Sequence, residues 1–181
     1  MYTHKGLVSL ETERLLLRPI TRDDAEAIFH NWASDPEATR FMYWNCHRTL
    51  EDTHAWLDVL QQNAERPDCY DGWGIVLRDT GDLIGSMGAS WHDQEQETME
   101  FGYIISRKHW GNGYATEAAR EMIRFLRDDV GIRHFFACRA ENNPTSGKVL
   151  LKLGMVQTGN GEYKSLDGQR VYPSVDYRLD L

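Results

Sequence analysis

Apolar positions along the chain alternate between two periods, and the changes of period divide it into elements. Residues 13–20 hold the run Leu15-Leu16-Leu17-Arg18-Pro19-Ile20, closed by proline, which predicts a first strand. Thr21 to Asp24 then supply an N-cap and acids in a first turn, ahead of Ala25, Ile28, Phe29 and Trp32 on one helical face. Beyond Pro36, Thr49 caps a second helix whose Leu50, Trp56, Leu57 and Leu60 fall near 3.6-residue spacing. Residues 74–78 and 83–89 read as a hairpin about the polar turn Asp79-Thr80-Gly81-Asp82, and residues 98–105 continue the meander after a solvated turn at 93–97. Residues 114–128 form the strongest helix, with Ala115, Ala118, Ala119, Met122, Ile123, Phe125 and Leu126 on a broad apolar face. A fifth strand at 133–139 follows, then a fourth helix that Pro144 opens and Gly154 stops, and two last strands around the turn at 165–169. The expected architecture is α+β, a mostly antiparallel sheet of about seven strands with about four helices. With 181 residues, no repeat and no linker, it forms one domain over 1–181.

Composition narrows the function classes. Apolar residues make up 41% and charged residues 27%, the balance of a chain that folds unaided. No window approaches 18 consecutive apolar residues, and the first seven residues lack the apolar core of a signal peptide, so a cytoplasmic protein with no membrane partner is expected. Cys46, Cys69 and Cys138 are odd in number and lack CxxC spacing, against a disulfide framework and against a metal site. A net charge of -8 without a basic run argues against direct nucleic-acid binding and suits a cationic substrate, although acidity also serves solubility alone.

The chemistry-bearing segment is Trp110-Gly111-Asn112-Gly113-Tyr114-Ala115-Thr116-Glu117-Ala118, between a strand and the long helix. Free N–H groups in the first turn of a helix point out of its end and grip phosphate, and Gly111, Gly113 and Ala115 leave the approach open. The triphosphate-binding pattern GxxxxGK[ST] is absent, and the loop lies too late in the chain for the glycine loop of a dinucleotide fold.

With these residues in hand, the chain resembles the GNAT superfamily of N-acetyltransferases, whose pyrophosphate loop reads [QR]xxGx[GA]. Trp110 stands at the first position, a departure shared by the branch similar to the RimJ and RimL ribosomal-protein N-terminal acetyltransferases. Two further stretches agree with that branch: Thr12-Glu13-Arg14-Leu15-Leu16-Leu17-Arg18-Pro19, and the segment from Asn142-Asn143-Pro144-Thr145-Ser146 to Leu153-Gly154-Met155. The resemblance implies the GNAT fold, splayed between its fourth and fifth strands, with acetyl-CoA as cosubstrate and no metal.

It also implies roles. Ile104 and Ile105 would pair with the pantetheine arm as an added strand would. Backbone N–H groups from Gly111 to Thr116, through Asn112, Gly113, Tyr114 and Ala115, would hold the diphosphate, with Trp110 opening the loop and Arg107 and Lys108 as screening charges. Asn143 would bond the pantetheine or serve as a turn or cap residue, and Lys148 would meet the adenosine end. Ser146 lies where a hydroxyl can protonate the departing thiolate, with Tyr103 and Tyr163 as further proton-handling groups. The reaction implied is direct attack by a neutral amine, and Glu100 or Glu162 would take the proton.

The acceptor is expected to be a protein or peptide N-terminus, with a polyamine, amino acid or antibiotic amine as the alternative and a coenzyme-binding sensor without turnover as the rival of another class. A homodimer is a family-level expectation. Phe41, Tyr43 and Trp44 with Trp32 form either an acceptor wall or core. His54 and Asp58, at helical i,i+4 spacing, read as a surface pair.

Overall fold

The computed structural model describes residues 2–64, 66 and 69–181. Among them eight strands form one sheet, β1 (Leu10–Glu11), β2 (Leu15–Pro19), β3 (Cys69–Leu77), β4 (Leu83–Asp93), β5 (Thr98–Ile105), β6 (His134–Ala140), β7 (Val156–Lys164) and β8 (Val171–Asp180). Their spatial order is β1-β2-β3-β4-β5-β6-β8-β7. The α-helices are α1 (Ala25–Ile28), α2 (Pro36–Thr39), α3 (Leu50–Ala64), α4 (Tyr114–Phe125) and α5 (Pro144–Lys152). The sheet thus has one strand more than expected, because the two-residue β1 pairs with β2, and α2 is the additional helix. Each spans only about one period of its element, too little for a repeat of apolar positions to show, which is why the pattern misses them.

Helix ends follow the side chains that cap them. Thr49 and Asp52 exchange backbone bonds at the start of α3, and Asp35 accepts from Glu37 and Ala38 at the start of α2. The first predicted helix is α1 flanked by a 3-10 turn and a π turn, its entry fixed by Asp24, which accepts from Thr21 N–H at 2.8 Å and from the Arg18 guanidinium. α4 runs on into a π turn at Leu126–Val130, and Gly131, at φ 100°, ends it. No described helix is long and apolar enough to cross a membrane.

Alternation along β5 separates two layers. Met99, Phe101 and Ile105 join the core with residues of α4 and α5, whereas Ile104 joins the second core with residues of α1 and α3. Glu100, Gly102 and Ile104 therefore share the α1 and α3 face. All neighbouring strands are antiparallel except β5 and β6, which pair in parallel only at Thr98↔His134, Met99↔Phe135 and Glu100↔Phe136. Beyond Glu100 they separate. This is the expected splay, now between β5 and β6 because β1 adds a strand at the start.

Candidate active site

The loop expected to bind phosphate connects β5 to α4. Gly111 and Gly113 take φ values of 81° and 83°, the left-handed region in which a side chain is strained, so the chain turns into α4 with its first-turn N–H groups uncovered. Asn112 does not reach outward: its amide spans back to the carbonyls of His109 and Trp110 at 3.1 and 3.2 Å and closes the turn. The Trp110 indole N–H bonds the Ile105 carbonyl at 2.7 Å, tying the loop to the end of β5.

A second clamp comes from the start of β2, and the sequence pattern alone does not reveal it. The Arg14 guanidinium donates to the Asn112 carbonyl at 3.1 Å and to Glu117 at 2.7 Å, and its Cζ lies 4.6 Å from the centre of the Tyr114 ring. Glu117 also accepts from the Thr12 hydroxyl and from Arg14 N–H. Burial alone would raise the Glu117 pKa, but these bonds outweigh it and hold the carboxyl below its ordinary value. The stability this adds is present above the ordinary glutamate pKa and is lost as pH falls through the lowered value. Arg14→Ala is expected to raise the KM for acetyl-CoA about 3- to 10-fold with little change in kcat, because one preorganising contact of roughly 1 kcal/mol is lost; steady-state kinetics with the coenzyme varied will show it.

Beside the clamp lies a cleft of about 410 Å³ whose wall includes Arg14, Gly113, Thr116, Arg120 and Lys152. Its cations suit the polyanionic end of a coenzyme. Arg107 is bound to Asp35 at 2.9 Å, and Lys148 is exposed on α5.

Within the splay the backbone of β5 is divided by direction. Ser106 N–H bonds Ile84 at 2.7 Å, and a Cβ on Gly85 would collide with the Ile104 carbonyl, so even-numbered residues turn their peptide groups toward β4. Odd-numbered Phe101, Tyr103 and Ile105 then face the opening. Of the two residues expected to meet the pantetheine arm, Ile105 faces the gap, with its carbonyl already taken by Trp110, and Ile104 faces its sheet neighbour.

Across the gap, Asn143 caps α5 by accepting from Ser146 N–H at 3.3 Å, which leaves its amide N–H groups outside the cap. The Ser146 hydroxyl lies 3.0 Å from the Tyr103 hydroxyl, and burial pushes the Tyr103 pKa up to about 12. The pair stays protonated through the physiological range and can hand a proton to a thiolate.

On the opposite face of the sheet, Glu100 accepts from or pairs with His92 at 3.1 Å, and Cys138 lies 3.9 Å from its other oxygen. Burial, with Glu100 and Asp176 nearby, pushes the Cys138 thiol up to about 12, so it is a poor nucleophile. Glu162 is elsewhere. It pairs in register with Pro173, on the sheet face that carries Val175 and Tyr177 into the core with α4, and sits 3.8 Å from Lys164 at the exposed edge strand. The structure does not bring Glu100 and Glu162 together.

Residues 40–45 bridge the two sides of the splay. Tyr163 and Tyr172, stacked with centroids 4.9 Å apart, donate to the carbonyls of Phe41 and Arg40, and Leu166 N–H donates to Tyr43. Trp32 and Trp44 are core, Phe41 is half-buried, and Tyr43 is 47% exposed. Desolvation of its hydroxyl, with Asp71, Cys69 and Glu100 nearby, pushes the Tyr43 pKa up to about 12. The aromatic group is thus divided between core and wall. Asp58 pairs with Arg22. Among the described residues no group of His, Cys, Asp and Glu is arranged to hold a metal ion.

Comparison with known proteins gives the same family. Residues 14–156 match the model of the acetyltransferase (GNAT) domain. The chain is 35% identical over 152 residues to YoaA of Bacillus subtilis, named as an uncharacterised N-acetyltransferase, covering 83% of this chain and 84% of that one. Among solved structures it superposes on the microcin C7 self-immunity acetyltransferase MccE, bound to acetyl-CoA and AMP, with a TM-score of 0.82 at 17% identity, covering 94% of each chain. It superposes on the ribosomal-protein-S5-alanine acetyltransferase of Vibrio fischeri with a TM-score of 0.75 at 20% identity, covering 96% of each. At those identities the two structures speak to fold, whereas the domain match and the curated relative speak to family. The chain belongs to the GNAT family and is an acetyl-CoA-dependent N-acetyltransferase.

Proposed function

We propose that the protein acetylates the free α-amine of a protein or peptide N-terminus, presented end-on to the sheet face that carries Glu100 and Gly102. The observation that carries this reading is the bridge of residues 40–45 to β7 and β8, which sets Tyr43 near Glu100 beside the acceptor face. An extended chain end is the acceptor shape that such a bridge would admit. Energetics favour the same acceptor: an α-amine of pKa about 8 costs roughly 1 kcal/mol to neutralise at pH 7, and a lysine roughly 4 to 5 kcal/mol.

Acetyl-CoA lies with its diphosphate on the N–H groups of residues 111–116 and its pantetheine arm along β5, in reach of the Asn143 amide. The neutral amine attacks the thioester carbonyl, a β5 backbone N–H facing the gap offsets the oxyanion, and the Ser146 and Tyr103 hydroxyls return a proton to sulfur. Glu100 shares the acceptor face and can take a proton through His92 or water. Glu162, on the other face, is given no part in this scheme. Ser146→Ala is expected to lower kcat about 10- to 100-fold with the KM for acetyl-CoA unchanged, less than the roughly 100- to 10,000-fold of a sole proton donor because Tyr103 remains.

A second reading, a small cationic amine as acceptor, is favoured by the acids Asp71 and Glu100, both near enough to Tyr43 to raise its pKa. Thiol release from acetyl-CoA, screened in parallel against peptides with free N-termini and against di- and polyamines, separates the two. Turnover confined to the small amines would remove the first.

A further inference from the structure

Asp71 occupies a bulge in β3, where Gly72 takes φ 106° and the register slips between Asp71 and Trp73. It stands opposite Gly88 of β4, which stands opposite Gly102 of β5. Residues in cross-strand register share a face, so Asp71 belongs with Glu100 and Gly102 on the acceptor side. Two absent side chains shape its surroundings. A Cβ on Gly88 would collide with Asp71 Oδ1 and lie 2.8 Å from its Cα, so the carboxylate rests over the bare Gly88 backbone. A Cβ on Gly102, one strand further, would meet nothing within 4 Å. The carboxylate therefore sits about one strand spacing, roughly 4.8 Å, from open space beside the peptide groups that face the thioester.

Asp71 is also fixed. The Asn63 amide and the Gly72 N–H bond it, burial outweighs both and pushes its pKa up, and no cation of the described residues is among the groups that shift it. Glu100, by contrast, is engaged by His92 and Cys138. We propose that Asp71 is the group that takes the proton from the acceptor amine, with the nitrogen poised over Gly102. This rests on the reading that this face receives the acceptor.

The step balances as follows. The bound ammonium gives one proton to the Asp71 carboxylate, which passes it to water. The nitrogen lone pair forms the C–N bond, and the C–S bond breaks with its electron pair going to sulfur. The hydroxyl pair of Ser146 and Tyr103 protonates that sulfur, and the second proton lost by nitrogen passes through water to replace the one the pair gave up. Among the described residues, Tyr43, Cys69 and Glu100 are the titratable groups that neighbour Asp71 on this side, and Tyr43 stays protonated up to about pH 12.

The test uses the full chain, acetyl-CoA, the fastest primary amine of the peptide and diamine panel, and hydroxylamine, which is already neutral at pH 7. Asp71→Asn is expected to lower kcat with the primary amine about 100-fold or more, the range for a lost general base, and to abolish the acid limb of kcat against pH. Hydroxylamine turnover and calorimetric acetyl-CoA affinity should hardly change. Asn63→Ala removes a bond that lowers the Asp71 pKa, so the acid limb should move to higher pH, which damaged packing alone would not produce. Wild-type kcat and an unchanged acid limb in Asp71→Asn overturn the assignment alone, and so does an equal loss with hydroxylamine. A wild type that binds acetyl-CoA and releases no thiol with any amine overturns the acceptor-face reading and this assignment together.

Discussion

Gly113→Glu is expected to weaken acetyl-CoA binding at least about 100-fold while leaving the protein folded. Gly113 sits at φ 83° as the N-cap of α4; with a side chain there the free loop relaxes out of that conformation, and restoring it for the bound coenzyme costs roughly 1 to 2 kcal/mol. The new carboxylate would also stand where the diphosphate is proposed to bind, and the like-charge repulsion adds on the order of 1 to 2 kcal/mol. Together they reach the roughly 2.7 kcal/mol that a 100-fold change requires. A Cβ at this position would lie 3.7 Å from Arg14 Nη2, so the glutamate also competes with the Asn112 carbonyl for the clamp. Calorimetric titration of acetyl-CoA, with a thermal melt as the folding control, makes the measurement; an unaltered dissociation constant would remove the phosphate cradle from the model of binding.

Gly102→Val is the converse experiment, expected to spare the coenzyme and stop the chemistry. Gly102 is exposed in the middle of β5, with φ outside the left-handed region and nothing within 4 Å of a built Cβ, so a β-branched residue suits the strand without strain. Its methyl groups fill the space in which the amine must approach the thioester. Displacing an acceptor by about 1 Å already costs on the order of 100-fold, so kcat/KM should fall at least that far. Stability should hold or rise by about 0.4 to 1 kcal/mol, because the glycine freedom lost in the unfolded chain is removed. Full turnover in this variant, with acetyl-CoA binding intact, would mean that the acceptor enters from another direction.

The parts legible in the sequence are those whose cause is local. The hairpin at Asp79 to Asp82, the strand Thr98–Ile105, the glycine-containing turn into α4 and the helix ends at Thr49, Pro144 and Gly154 each depend on a short run of residues, and the fold has them. The π turn after α4 was hidden because it continues the same apolar stripe. Arg14 reads as the start of a strand, and only tertiary packing brings it to the loop 98 residues later in the chain. Asp71 is harder still. Its placement depends on a bulge at Gly72 and on two glycines in neighbouring strands, and a slip of one residue would have turned it into the other core. Glu162 illustrates the same sensitivity from the other side, since the parity of β7 decides which face it adorns.

A sheet fastened along its middle by three rungs has a seam, with β1 to β5 as one leaf and β6 to β8 as the other. Whatever lies lengthwise in the gap stitches the leaves together, so resistance to heat becomes a function of how much cosubstrate surrounds the protein. At a hundredfold excess over the dissociation constant the stitched form gains about 2.7 kcal/mol, and a cell short of coenzyme A, acetylated or free, would hold this enzyme in its weaker state.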